Sequence, residues 1–512
     1  FITMLTDSEN NKVVNNALNY STASWVFRAG YVYDQRYIID FSSRYDASWR
    51  FQKGSQWGFF PSVSGAWRLS EEDFFKDSEI SSWLSNVKLR ASYGSMGSDA
   101  LSTGIYPYFA YQSGYNYDVG GTIISPNPIS NASDNMIIGS QSKGLPITNL
   151  SWIETAISNI GIELGFFDNK LTAELDAFQR IRDGIPAYPD DVIYPLESGF
   201  PAMPQNLNSD KTVGVDGFVK WSDKAGDLNY FVGVNATLAR QMNGKRYGEL
   251  FLNAWDQYRW SQENRWANVQ QGEIWMWETI GVFQTQEEID NYPINIDGAN
   301  NTNLRPGDLI FRDFNGDGII NEFDKRPLGY AAADWPWDSS KGNKNPLLSF
   351  GINMGVEWKG IDIAADFAGG CMNTFVPDWH VKYGPYRTQT GFVYNSLDVW
   401  KHEDIYDPTS PWIPGKFPAP AGWNNPSLRS WNDYYTKEVN YVRLRNLVVG
   451  YTLPAKFTKK ILLEKFRVYF EGSNLFSIDT LQDYGFDPET STVTGFDYPQ
   501  HRTCLFGVNL TL

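Results

Sequence analysis

"SWVFRAGYVYDQRYIIDFSSRYD", Ser24 to Asp46, alternates in character on both sides of one tight turn. Trp25, Phe27, Ala29, Tyr31 and Tyr33 share one phase, against Arg28, Gly30 and Asp34. After Asp34-Gln35-Arg36, Tyr37, Ile39, Phe41 and Tyr45 share a phase against Asp40, Ser42, Arg44 and Asp46. A period of two residues is that of a β-strand, and two such runs joined by three polar residues form a hairpin. One phase is apolar and aromatic toward the strand ends; the other is charged.

The pattern recurs. In "NIGIELGFFDNKLTAELDAFQR", Ile160, Ile162 and Leu164 oppose Glu163; past a turn near Asp168-Asn169, Leu171, Ala173, Leu175 and Ala177 oppose Glu174 and Asp176. "LSFGINMGVEWKGIDIAADFAGG" repeats it around Lys359-Gly360, and "KFRVYFEGSNLF" and the terminal "FGVNLTL" continue it. Roughly thirteen strands follow from this alternation. Short connections fall near Asp34, 167–170, 222–227, 359–360 and 453–465. Long ones fall near 95–155, 181–213, 241–348, 370–440 and 477–502. Alternation of short turns with long loops is the habit of a transmembrane antiparallel β-barrel, so the expected class is all-β. Trp25, Tyr33, Tyr37, Tyr45, Trp67, Tyr93, Trp358 and Tyr451, in the apolar phase, suit aromatic girdles. The competing reading, a secreted, calcium-stabilised β-sheet protein that binds or cleaves glycans, requires those aromatics to be buried.

Composition narrows the alternatives. The net charge of −16 over 512 residues, with no basic stripe, excludes a nucleic-acid partner. No run of apolar residues is long enough for a membrane helix, which a barrel would not contain anyway. Cys371 and Cys504 both fall in the outward phase and suggest unpaired, inert thiols. His380, His402 and His501 lie far apart and form no metal or triad motif, so no enzyme is expected. The start at "FITMLTDSEN" shows no signal peptide, and the chain reads as mature or as a fragment. An odd strand count implies that N-terminal strands lie outside it, since single-chain bacterial barrels have even numbers.

One loop has a ligand schedule. In "RDFNGDGIINEFD", Asp313, Asn315 and Asp317 alternate, Gly318 allows a sharp turn, Ile319 can offer a carbonyl, and Asp324 stands at the closing position of an EF-hand-type loop. The expectation is a structural divalent cation, calcium by its oxygen ligands, stiffening a long loop that lacks a core. The same residues also favour a plain Asn/Asp/Gly turn.

Several segments together resemble the SusC-like (RagA-type) branch of TonB-dependent outer-membrane transporters. They are "YVYDQRYIIDFSSRYDASWRF", "WGFFPSVSGAWRLSEEDFF", "VKLRASYGSMGS", "SNIGIELGFFDNKLTAELDAF", "IGVFQTQEEID", "PGDLIFRDFNGDGIINEFDKRPLGY", "GINMGVEWKGIDIAADFAGG", "YVRLRNLVVGYTLP", "FRVYFEGSNLFSID", "DYGFDPET" and "YPQHRTCLFGVNLTL". The family often ends on Phe, where Leu512 stands here. The resemblance implies the C-terminal portion of a barrel of roughly 22 strands. It implies a plug-bearing N-terminal portion, a SusD-like surface lipoprotein as lid, energy from the TonB complex, and a dimer of SusC/SusD-like pairs in outer-membrane lipid. Cargo would be a large nutrient, a glycan or oligosaccharide first and a peptide next, with long loops extracellular and the C-terminus periplasmic.

Within that frame, the inward charges Asp40, Arg44, Lys88, Arg90, Glu163, Glu174, Asp176, Arg467 and Glu471 read first as ion pairs in a wet lumen, second as a cargo path or plug contact. Arg443 and Arg445 share a phase with Leu447 and Val449, which places that strand end beyond the hydrocarbon. Trp255, Trp260, Trp266, Trp275, Trp277, Trp335, Trp337 and Trp379 can stack on sugars, although loop packing explains Trp equally well.

Overall fold

Tight turns of left-handed backbone set the register of the sheet. Asp34 and Gln35 (φ 49° and 54°) and Lys359 and Gly360 (φ 47° and 90°) take the positive φ pair that matches the strand twist in a hairpin. At Gly360 glycine is required twice, because a Cβ there would also lie 2.6 Å from the Thr452 carbonyl oxygen. The computed structural model describes residues 4–6, 12–14, 22–100, 110–123, 136–142, 144–189, 202–245, 273–330, 346–376, 398–419, 425–429, 432–458, 463–482, 485–489 and 500–511.

Thirteen of the described strands form one antiparallel meander in which each pairs with its neighbours in sequence. These wall strands are β1 (Thr22–Tyr33), β2 (Tyr37–Ser48), β3 (Trp57–Arg68), β4 (Leu84–Ser98), β5 (Ile153–Phe166), β6 (Leu171–Ala187), β7 (Gln205–Ala225), β8 (Leu228–Asn243), β9 (Leu348–Trp358), β10 (Ile361–Phe375), β11 (Lys437–Thr452), β12 (Lys465–Ser473) and β13 (Thr503–Thr511). β1 and β13 are the two edges of the described sheet. β7 runs on to Ala225, so its turn is shorter than the sequence suggested. All the tightest turns lie on one rim, here the turn rim, and the long connections leave from the other, the loop rim.

Register carries the two-faced pattern across the wall. Ala173, Val219, Val234, Ile352, Phe367 and Leu444 form one unbroken row over six strands. This row lies on the outward face, where the large side chains stay exposed: Trp25 is 72% accessible, and Ile39, Val63, Ile160, Val219 and Val508 are exposed too. The aromatics expected at the strand ends are there, with Tyr37 stacked on Trp67 at the turn rim and Tyr45 on Trp57 toward the loop rim. Eight residues separate Tyr37 from Tyr45, about 26 Å of strand, the scale of a barrel's apolar band. A soluble sheet protein would have buried these rings.

Arg443 departs from the simple phase for a local reason. The pairing of β10 with β11 slips between Asp366 opposite Asn446 and Phe367 opposite Leu444, a bulge that uses up Arg445. Beyond it Leu444 takes the outward row and Arg443 turns inward.

The large hydrophobic core is not in the wall. Phe283, Ile289, Leu309, Phe311, Phe375, Phe417, Tyr435 and Leu481 are buried together, drawn from the connections after β8, β10 and β12 and from the end of β10. Three loops therefore fold on one another into a cap at the loop rim. A smaller cluster of Phe51, Leu150 and Ile153 ties the connections after β2 and β4 together. The expectation that the long loop lacked a core of its own is corrected: apolar residues spread over three connections supply one, which no single loop reveals.

Candidate functional site

Two surfaces can act on a solute: the charged inner face of the wall and the cap above it. On the inner face, Lys88 and Arg90 both lie 3.0 Å from Glu163, and Arg90 reaches Glu174 at 3.6 Å. Arg90 also donates from Nε to Asp176 Oδ1 at 3.2 Å. This second pair joins β4 to β6 across β5. The residue directly between them is Gly161, register partner of both. A Cβ at Gly161 would overlap the Asp176 carboxylate and stand 2.7 Å from Arg90 Nε. The device recurs at the other end of the sheet: Arg467 of β12 donates to Asp362 of β10 at 2.9 Å over Gly450 of β11, where a Cβ would lie 2.5 Å from the guanidinium and 2.6 Å from the carboxylate. Arg28 with Asp40 and Arg182 with Asp210 bind neighbouring strands at 2.9 and 3.0 Å. Most of the inward charges thus serve one another, while Glu174 stays half-exposed.

At the loop rim the inward Arg443, only 4% exposed, pairs with Asp487 at 2.5 Å and Glu489 at 2.8 Å, and Arg445 reaches Glu489 from the bulge at 2.5 Å. Asp487 and Glu489, within residues 485–489, are therefore the counter-ions that hold this part of the last loop to β11.

The acidic loop has more internal bonding than its ligand schedule suggested. Asp313 accepts from the Gly316 and Gly318 amides at 2.7 and 2.8 Å. Asp317 accepts from the Ile319 amide and from Asn315, which hold its carboxyl below the usual range. Asp324, fully buried, accepts from the amides of Phe314 at 3.0 Å and Asn321 at 2.8 Å, the latter completing a capping box with Asn321 at the start of the short helical turn Glu322–Asp324. Asp313, Asn315 and Asp317 lie together on the exposed side of the loop, whereas Asp324 is turned into it. Among the described residues no three acidic, His or Cys side chains converge on a common point. Within the expected ligand set, Asp313, Asn315, Asp317, the Ile319 carbonyl and Asp324, the closing carboxylate accepts a backbone amide at each of its oxygens.

Trp277 packs beside the cap core and donates its indole N–H to the Asn321 carbonyl at 2.7 Å, which makes it a support of this loop and not an open sugar platform. Trp275 sits in a short ladder opposite Pro327. Trp255, Trp260, Trp266, Trp335, Trp337, Trp379, His380 and Leu512 lie outside the described residues. His402 packs on Trp412 and hydrogen-bonds the Ser410 carbonyl through Nδ1. Cys371 and Cys504 are both free thiols.

Sequence reading missed Asp308. Its carboxylate is buried in the cap, accepts from Asn425 at 2.8 Å and from the Arg305 amide at 2.7 Å, and joins the loop after β8 to the loop after β10. Burial pushes this carboxyl above the usual range, against the pull of Asn425, the Arg305 amide and Ser427. Nothing near Asp308 in the sequence signals its role in joining two loops, because its side-chain partner Asn425 lies 117 residues away.

An antiparallel wall with an apolar outer face, a charged inner face, hairpin turns on one rim and a folded cap on the other has the fold of an outer-membrane β-barrel wall. The comparisons agree: a solved structure of the RagAB peptide importer in the "open-open" state superposes with a TM-score of 0.67 at 21% identity, covering 99% of this chain and 49% of that one. In sequence, the chain is similar to the TonB-dependent receptor P26 of Formosa agariphila (23% identical, 99% of this chain, 47% of the relative) and to the TonB-dependent receptor SusC of Bacteroides thetaiotaomicron (24%, 96% and 44%). The chain thus spans about half the length of the curated relatives it matches. No family model matches it. The relatives carry receptor names, in line with the reading that the chain is not an enzyme.

Proposed function

We propose that this chain forms the C-terminal part of the barrel of an outer-membrane importer that takes up a large nutrient with energy from TonB. The supporting observation is that the wall strands keep apolar side chains outside and paired charges inside, with one apolar row unbroken over six strands, as a hydrated, lipid-embedded conduit needs. In this reading the turn rim is periplasmic, the cap is extracellular, and a plug-bearing portion of the transporter completes and fills the barrel. A SusD-like lipoprotein closes over the cap, and the working unit is a dimer of such pairs. A glycan or oligosaccharide is the favoured cargo; the peptide importer among the structural neighbours supports peptides as the second reading. Uptake of labelled oligosaccharides and peptides by cells carrying the intact transporter, with and without TonB, tests both. Uptake that persists unchanged without TonB overturns the mechanism, and the class taken up decides the cargo.

A structural divalent cation at the acidic loop is proposed in a narrower form. Asp313, Asn315, Asp317 and the Ile319 carbonyl would hold it, with Asp324 joining only by leaving its cap, so binding would be weak and loop-tightening. Protease sensitivity of the loop and docking of the lid, measured with calcium and with chelator, test it; identical results for both remove the cation.

A further inference from the structure

The connection between β3 and β4, residues 69–83, lies on the turn rim and is the longest of the connections there. It contains three short helical turns, Leu69–Glu71, Asp73–Lys76 and Glu79–Ser82. Both its ends are fastened to the outward face. Near its start, Glu72 accepts from Tyr37 Oη at 2.6 Å, Trp67 Nε1 at 2.9 Å and Arg36 at 3.0 Å, and Tyr37 and Trp67 belong to the outward aromatic girdle. At its finish, Trp83 stacks on Phe166, also of the outward row, with ring centres 5.9 Å apart and planes at 16°.

Between these anchors the segment folds over the lower wall. Val87 belongs to the outward row, yet it is only 5% exposed where Leu89 of the same row is 39% exposed. The turns Leu69–Glu71 and Glu79–Ser82 contact the strand that carries it. Phe75 is turned inward and buried, while Phe74 and Ile80, 64% and 47% exposed, point away from the protein. The nearest carboxylates are neutralised at home, Glu71 by Lys76 at 2.8 Å and Asp73 by Arg36 at 3.2 Å, and the remaining charges, Asp77 and Glu79, are exposed.

We propose that residues 69–83 form a collar seated in the phospholipid headgroup layer at the turn rim, with Phe74, Ile80 and Trp83 dipping toward the acyl chains and Asp77 and Glu79 left in water. The inference rests on the membrane reading of the outer wall, whose lipid-facing girdle the collar continues. The occupant is lipid because apolar side chains and an aromatic ring at the level of such a girdle match the amphipathic boundary of a bilayer. With no cationic patch, the collar needs no anionic headgroup.

The test uses the assembled transporter in phosphatidylcholine vesicles, with Cys371→Ser and Cys504→Ser as background and a nitroxide at Phe74→Cys, Ile80→Cys, Asp77→Cys or, on the wall, Val63→Cys. Labels at 74 and 80 are expected to collide with oxygen several-fold more, relative to a nickel chelate, than the label at 77, and to approach the ratio at 63. Two independent exposed positions guard against one variant failing to fold. Nickel collision at 74 and 80 equal to that at 77 overturns the collar, as does poor collision with both probes, which would mark a protein contact. A label at 63 open to nickel would instead overturn the membrane reading beneath it.

Discussion

Arg90 holds Asp176 from two strands away, and it can do so only because the residue between them has no side chain. The ion pair and Gly161 form one unit: the guanidinium lies over the bare backbone of β5 and fastens β4 to β6, as Arg467 and Asp362 do over Gly450. Such second-neighbour ties resist opening of the wall in a way that adjacent-strand pairs do not.

Gly161→Ala should therefore cost about 1–2 kcal/mol, at the low end for a broken pair because Arg90 keeps about a third of its surface open to the lumen. The check is a denaturant midpoint in detergent. If Gly161→Ala loses as much in an Asp176→Ala background as alone, the glycine is not serving the pair.

Arg443→Ala leaves Asp487 and Glu489 without their buried counter-ion, and this part of the last loop should loosen by about 2–4 kcal/mol. Hydrogen exchange should rise across 477–482 and 485–489 and stay unchanged in β5 and β6. Uniform exchange over the whole chain would show that the arginine supports β11 itself.

Asp324→Ala strands the amides of Phe314 and Asn321 and should cost about 1–3 kcal/mol locally. The readout is proteolysis within 313–325, in chelator so that no cation contributes. A loop as resistant as the wild type would mean that Asp324 is not its cap.

Asp308 gives the cap a pH response of definite sign. Its carboxyl is raised in the folded cap, so between the ordinary aspartate range and that raised value the folded state binds more protons than the unfolded one. Stability from this group is full below the window and falls as pH rises through it. Asp317 acts oppositely, its contribution being lost as pH falls. The difference in cap melting between wild type and Asp308→Asn should thus slope with pH across that window. A flat difference would mean the carboxyl titrates normally.

The wall was legible from sequence because a strand writes its two faces into every second residue: Tyr37, Ile39 and Phe41 against Asp40 and Ser42 needed no partner to be read. The inner ion pairs followed from phase, but Gly161 and Gly450 did not, since only the register shows a glycine lying beneath a salt bridge. The phase break at Arg443 was visible and its cause was not, because a bulge is defined by the neighbouring strand. The cap was hidden altogether. Leu309 and Leu481 have no common period, and Asp308 and Asn425 meet only after β9 and β10 bring their loops to one rim. The collar was missed because 69–83 has neither alternation nor a long apolar stripe.

The position of the core has a kinetic consequence. The Leu309 amide donates to Ser427 Oγ across 118 residues, and Asp308 meets Asn425 across 117. Closing such spans is entropically steep until the intervening strands have aligned, so the cap is late-forming by topology. Its compaction is then a clock on the wall: a strand between β8 and β13 that slips register by one residue would turn its outward face inward and leave the three connections unable to meet, so that protease resistance of the cap reports correct pairing of β8 to β13.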